Sequence, residues 1–207
     1  MCHSIGEFIM NDLIQEIKAG RKNLVEVDLS FKDLSGLDLS GADLRSATLH
    51  GAFLQDSVLN KCNLQDATLR YAKAKYADFY GSDLRGTDLL SADLIYANLR
   101  NTDLRAADLR GAKLSHADLN EADLRFSVFT GADLTNTNLY IIQAGLWTVY
   151  IQPTLITIGA WRYTSQQWME FTDDERHKMY PDVLNQFWKQ NKDILFTTHA
   201  KLLENSQ

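Results

Sequence analysis

The strongest constraint on this chain is a five-residue period that runs from Lys22 to Ile141 without losing register. Starting at Leu24 and stepping by five, the walk meets 24 centres, of which 21 are Leu. The exceptions are Ala74, Phe79 and Phe129. Two residues before a centre the side chain is usually small, as at Ala42, Ala47, Ala92 and Ala107. The residue between is Asp at 13 centres, so the text reads A-D-L-x-x, as in Ala42-Asp43-Leu44 and Ala122-Asp123-Leu124. Such a period fits neither a helical stripe of about 3.6 residues nor strand alternation of about 2. Strict self-similarity points to a solenoid, whose units cannot bury their apolar side chains alone and must stack on their neighbours.

The pattern resembles the pentapeptide-repeat family. The resemblance implies a mainly β fold, a right-handed four-sided parallel β-helix with four pentapeptides per coil. It also implies that the centre residue and the small residue before it point inward. On that geometry the repeats make about six coils, roughly 29 Å tall at a β-ladder spacing of roughly 4.8 Å. Seven residues two after a centre are Gly: Gly36, Gly41, Gly51, Gly81, Gly86, Gly111 and Gly131. A type II corner needs φ > 0 at its third residue, and glycine supplies it without steric cost. Ala74 and Phe79 fall on adjacent sides of one coil, small beside large, which conserves core volume.

Three segments follow: 1–21, 22–141 and 142–207. In the first, Ile5, Phe8, Ile9, Leu13 and Ile17 recur at helical spacing and Gly20 closes the run. A solenoid end exposes an open coil edge that a terminal unit must cover, so residues 1–21 read as an N-terminal capping helix. The alternative is an exposed helix awaiting a partner. All four Trp and both Pro lie beyond Ile141. Loose alternation over 146–163 suggests one or two strands broken at Pro153. A helical segment follows from about Ser165, and Thr172-Asp-Asp-Glu175 is a capping box. Pro181 suits the first position of a final helix whose apolar face holds Leu184, Phe187, Trp188, Ile194, Leu195 and Leu202. This mostly helical α+β tail is expected to cap the solenoid through Leu184, Phe187, Trp188 and Leu195. The alternative is a cap that also joins two copies into a homodimer.

The chemistry of the chain excludes several classes. A net charge of −6 argues against a nucleic-acid footprint, and no direct nucleic-acid binding is expected. Cys2 and Cys62 form no disulfide framework, and Cys62, at an inward small-residue position, reads as core filler. There is no long apolar run and no signal-peptide core, so a cytoplasmic protein without a membrane span is expected. The five His are scattered, with no pair at metal-ligand spacing. No phosphate loop, G-x-S-x-G or H-E-x-x-H occurs. The Asp residues recur with the repeat, whereas acid–base catalysis needs a carboxylate in a distinct cleft environment. The expectation is a non-enzyme without cofactor.

The outer surface reads side by side, every fourth repeat on one side. The first side sets Asp43, Asp83, Asp103 and Asp123 beside Arg45, Arg85, Arg105 and Arg125. The fourth carries a candidate acidic column, Asp38, Asp78 and Asp118, interrupted by Val58, Asn98 and Asn138. Outward positions of the middle coils hold Phe53, Tyr71, Tyr76, Tyr80, Leu90, Ile95 and Tyr96. Such groups form either an interaction patch or a stack that stabilises its own columns. Two function classes follow. One is a rigid module binding a protein partner. The other comes from the resemblance: members of the quinolone-resistance type imitate duplex DNA, bind DNA gyrase and pair through a C-terminal helix. This chain departs from that type in lacking a projecting loop and in its neutralised Asp/Arg side.

Overall fold

The computed structural model describes residues 13–144, 147–179 and 183–204. Helix α1 covers 13–18 of these. It ends where the Gly20 N–H donates to the Ile17 carbonyl at 2.9 Å, with Gly20 at φ +100°. Ile17 is buried in the same cluster as the first Leu centres, and Leu13 and Ile14 pack against it. Ile5, Phe8 and Ile9 lie outside the described residues.

From Asn23 the chain winds into a parallel β-helix. Each residue preceding a centre pairs in parallel with the residue twenty further on, from Asn23↔Asp43 to Lys113↔Asp133. Four five-residue turns therefore make one step, and the assignment of every fourth repeat to one side holds at each of these rungs. A single rung shows how the backbone is satisfied. The Leu64 and Asp66 N–H groups donate upward to the Asp83 and Arg85 carbonyls at 2.7 and 3.0 Å. The Asp83 N–H returns to the Cys62 carbonyl at 2.9 Å. Inside, every centre from Leu24 to Leu124 is sealed from solvent, Ala74 and Phe79 included. The small columns also hold polar groups, which find carbonyls on the wall. Ser82 Oγ donates to Leu59 O at 2.5 Å, Thr87 Oγ1 to Leu64 O at 3.0 Å and Cys62 Sγ to Leu39 O at 3.0 Å. Burial pushes the Cys62 thiol up to about 11, which keeps it protonated and unreactive.

The corners differ from the expectation built on glycine. The third corner residue has positive φ throughout, and at sixteen positions it is not Gly, among them Phe31, Tyr71, Tyr76, Tyr96 and Phe126. A left-handed conformation costs an L-residue about 1–2 kcal/mol. It persists because bonds on both sides of the corner fix it. The Ala77 N–H closes the turn onto Ala74 O at 3.2 Å, and the Tyr76 N–H is held by Ile95 O at 3.1 Å. The recurrent Asp belongs to the same device. Its carboxylate accepts the N–H two residues on, as Asp38 from Ser40 at 2.8 Å and Asp88 from Leu90 at 3.0 Å. This local bond shapes the approach to the corner, as Asx turns do.

The ladder stops before the sequence period does. The Leu119 N–H donates to the side-chain Oδ1 of Asn138 at 2.9 Å rather than to a backbone carbonyl. The chain then leaves as β1 (Tyr140–Ala144), the first strand of an antiparallel meander with β2 (Trp147–Ile151), β3 (Ile156–Ile158) and β4 (Trp161–Tyr163). Three of these strands lie within 146–163, where one or two were expected, and the expected break at Pro153 falls in the β2–β3 connection. Strand alternation gives the meander two faces. Val149, Ile151, Ile156 and Ile158 build a second core with Trp168, Phe187, Trp188, Leu195 and Leu202. Tyr150, Gln152, Thr157 and Arg162 fall on the other parity. Three of these reach the coils: Tyr150 Oη donates to Ser127 O at 2.9 Å, Gln152 Nε2 to Leu119 O at 2.6 Å and Arg162 to Glu121 O at 2.5 Å.

Helix α2 (Ser165–Glu170) starts on a Thr164–Gln167 capping box, and α3 (Asp173–Met179) on the reciprocal Thr172–Glu175 bonds. Helix α4 spans Val183–Glu204. Pro181 and the Leu184 side chain lie outside the described residues. Ile194 does not belong to the apolar face: it is 55% exposed, while its neighbour Leu195 is fully buried. One residue is a 100° turn on a helix, enough to cross from the buried face to the solvent face.

Candidate protein-interaction surface

The outward residues sort by column. Asp93 and Ile95 share the third side with Phe53 and Lys73, and Lys73 Nζ lies over the Phe53 ring at 4.2 Å. Two corner columns flank this side. On one edge Phe31, His50 and Tyr71 meet edge-to-face, with centroids at 5.2 and 5.5 Å. Gly51 makes this possible, because the Phe31 ring lies across it: a Cβ there would come within 2.6 Å of Phe31 Cε1. On the other edge Tyr76, Tyr96 and His116 stack nearly parallel, at 5.1 and 4.5 Å, and His116 Nε2 is 3.1 Å from Asn136 Nδ2.

The expected patch therefore divides. Tyr76, Tyr96, Phe53, Ile95 and Tyr71 frame the third side, while Leu90 lies on the second and Tyr80 on the fourth, beyond the corners. The stack and the surface coexist: Tyr71, Tyr76 and Tyr96 remain 51%, 56% and 47% exposed. Stacking holds the rings by their faces and leaves edges and hydroxyls to solvent. Side chains fixed in this way lose little entropy on binding, which favours aromatic contact surfaces. His116 and Phe31 are members that sequence reasoning missed. Their twenty-residue spacing from Tyr96 and Gly51 was the available signal.

The charged sides are internally paired. Arg85, Arg105 and Arg125 each form a two-pronged pair with the Asp two residues before, with shortest contacts of 2.6, 2.7 and 2.6 Å. Arg85 and Arg105 also reach the Asp of the next coil, at 3.6 and 3.8 Å. The Arg45 guanidinium, first by its hydrogen bonds, holds the Asp43 carboxyl below the usual range, and Arg110 does the same for Asp108. In the acidic column, Asn98 Nδ2 donates to Asp78 at 2.8 Å and Asn138 Nδ2 to Asp118 at 2.5 Å, with Arg100 3.4 Å from Asp118. Asp38 is the open member, 3.9 Å from Lys22 Nζ. Asn98 and Asn138 thus each donate to the acid one coil before.

Phe187, Trp188 and Leu195, candidates for cap or dimer contacts, are spent inside the chain. Trp188 stacks on Trp168 at 5.6 Å, and Trp168 Nε1 donates to Ile156 O at 2.8 Å. Among the described residues no group of three His, Cys, Asp or Glu could hold a metal ion, and no helix is long and apolar enough to cross a membrane.

The family model for pentapeptide repeats matches in eight copies, over residues 23–60, 54–86, 62–101, 75–111 and 107–140. The chain belongs to the pentapeptide-repeat family. Proteins of this family are typically structural or binding proteins. A comparison with curated proteins found no match. Among solved structures, this pentapeptide-repeat protein is similar to HetL, a pentapeptide repeat protein involved in heterocyst differentiation regulation from the cyanobacterium Nostoc sp. strain PCC 7120. That match has 30% identity over 64% of this chain and 73% of that one, with a TM-score of 0.40. It is also similar to trypsin-treated QnrB1, a plasmid-mediated fluoroquinolone resistance protein, at 25% identity over 53% and 58%, TM-score 0.39. A third is Rfr23 from the cyanobacterium Cyanothece 51142, at 25% identity over 62% and 97%, TM-score 0.30. At these TM-scores the family assignment stands on the repeat match and the ladder.

Proposed function

We propose that this chain is a non-catalytic binding protein: a rigid right-handed rod of about six coils, covered at one end by residues 1–21 and at the other by 142–207. Its third side engages a protein partner in the cytoplasm. The observation that carries this reading is the Tyr76–Tyr96–His116 stack, ordered yet half exposed, along the edge of a side that also presents Phe53 and Ile95. Ordered aromatic edges beside aliphatic groups have the composition of interface centres.

The alternative is a DNA-mimicking modulator of DNA gyrase. It draws on Asp38 and the overall acidity, and the amide and arginine partners of Asp78 and Asp118 weigh against it. A photo-crosslinking residue placed at Arg105, Arg110, Tyr96 or Arg100 reports on the first side, the second, the edge of the third and the fourth in turn. The proposal expects adducts at Tyr96 alone. Adducts centred on Arg100, with inhibition of gyrase supercoiling by the purified protein, would replace it with the mimic.

A further inference from the structure

The last coil departs from the sealed core on two adjacent sides. Phe129, Leu134 and the small Ala132 are only partly buried, whereas Leu109, Ala112 and Leu114 one step below are fully sealed. Strands β1 and β2 cover this region only in part, the Tyr150 ring lying 6.2 Å from that of Phe129. Tyr150 and Gln152 reach Ser127, Leu119 and Ala122, and beside them lies a cavity of about 460 Å³. Val128, Phe129, Leu134, Ile141 and Tyr150 line one part of it and Ser127, Thr130, Gln143 and Thr148 the other, with no charged side chain among the described residues.

The backbone is open in the same place. One coil lower, the N–H groups of Leu109, Gly111, Leu114 and His116 donate to the carbonyls of Val128, Thr130, Asp133 and Thr135 at 2.8, 3.0, 2.8 and 2.9 Å. The Ala112 carbonyl accepts from Asp133 at 2.9 Å. In the last coil the equivalent N–H groups of Phe129, Gly131, Leu134 and Asn136, and the Ala132 carbonyl, have no partner among the described residues. The Leu124 and Phe126 N–H groups also have no partner among the described residues, but there the centre itself is sealed, with Leu124 at 1% exposure.

We propose that this half-open end binds an extended peptide segment of a partner protein. The segment adds one more rung to the second and third sides and inserts an uncharged Leu- or Phe-sized side chain into the cavity. The protein's own coils define the occupant. Donors at 129, 131, 134 and 136 match carbonyls at spacings of two, three and two, which a strand with one corner provides. The apolar part of the wall, Val128, Phe129, Leu134 and Ile141, selects an apolar insert. Charge complementarity selects a further residue, because the third-side column alternates Asp93, Lys113, Asp133, so a Lys or Arg belongs over Asp133. Strand addition to an exposed edge is an established mode of peptide capture. The inference rests on the reading of this chain as a protein-binding module but uses a different surface.

The test uses the full chain and a fluorescent synthetic peptide copying Ala107–His116, which carries Lys113 and Leu114 in the required positions. Saturable one-to-one binding is expected, with hydrogen exchange at Phe129, Gly131, Leu134 and Asn136 slowed by at least tenfold. The same peptide with Leu114→Asp should bind at least tenfold more weakly. Protein variants Leu134→Lys and Val128→Lys should do likewise. The second keeps the test valid if the first does not fold, since Val128 is 42% exposed and lines the cavity. Absence of saturable binding to folded protein overturns the proposal. So does protection of these four amides in the free monomer, which would mean that the chain covers itself. Protection that appears with a doubled mass would assign the edge to a second copy and overturn it equally. Peptide binding that survives Tyr76→Gly/Tyr96→Gly separates this site from the third-side surface, so either can fail alone.

Discussion

The coils and the tail bury comparable side chains by opposite means. In the coils one short rule, repeated, sets every inward position, and each residue's partners lie twenty positions away. In the tail no rule repeats. A meander with two faces divides its side chains between a second core and the coil end, and helices α2 to α4 close that core. The difference bears on function. A repeat forces its inner columns and leaves its outer columns free to vary, so an outward aromatic column is information the fold did not require. In the tail Trp188, which looked available for a partner, is consumed in packing. Solenoid stability is close to a sum over neighbouring units, whereas a mixed core depends on a few large side chains.

This contrast can be broken at several points. The largest effect is expected for Leu104→Lys, which places an unpaired charge in a sealed column. No soluble protein with the wild-type circular dichroism spectrum should be recovered, and a native-like variant would refute the inward assignment. Trp168→Ala should cost about 3–5 kcal/mol. It should act on the tail alone, so that thermal melts resolve an early tail transition from a late coil transition. A single shifted transition would show that the two cores unfold together.

Acid should act on the coils. Asp43 and Asp108, through Arg45 and Arg110, and Asp133, lowered to about 2 first by the Ser115 hydroxyl, all titrate below their unfolded values. Depressed carboxylates stabilise the fold above the unfolded value of about 3.9 and lose that contribution as pH falls through the folded value. Denaturant melts of the coils should therefore be level from neutral pH to about pH 5 and weaken from about pH 4 to about pH 2. The smallest effect is expected for Arg105→Ala. Its pairs lie on the partly exposed outer surface, and a loss of about 1 kcal/mol is predicted from the same melts.

What the sequence made legible follows the same division. The period placed every sealed centre from Leu24 to Leu124 and every column, because register in a repeat is a long-range contact map written in local text. The corner was harder to read. Glycine marked seven positions, yet Tyr76 and Tyr96 take the same left-handed conformation because the ladder holds them there. The role of Asp was visible as recurrence but not as the hydrogen bond to the N–H two residues on, which needs coordinates. The last repeat was misleading. Leu139 keeps the pattern and is buried, but Asn138 replaces a backbone rung with its side chain, and nothing in the pentapeptide text signals that. In the tail, four strands of three to five residues are too short for alternation to count them. Ile194 fitted a helical stripe only because adjacent apolar residues cannot be ranked by spacing alone.

The central claim is that the third-side aromatics serve a partner rather than the fold, and Tyr76→Gly/Tyr96→Gly tests it most directly. Glycine relieves the left-handed backbone at both corners, which offsets the lost stack of about 0.5–1.5 kcal/mol. The account predicts a melting temperature within a few degrees of wild type and an affinity for the crosslinked partner at least tenfold lower. A clear fall in melting temperature with unchanged affinity would contradict it, and would make the stack a brace for the coils.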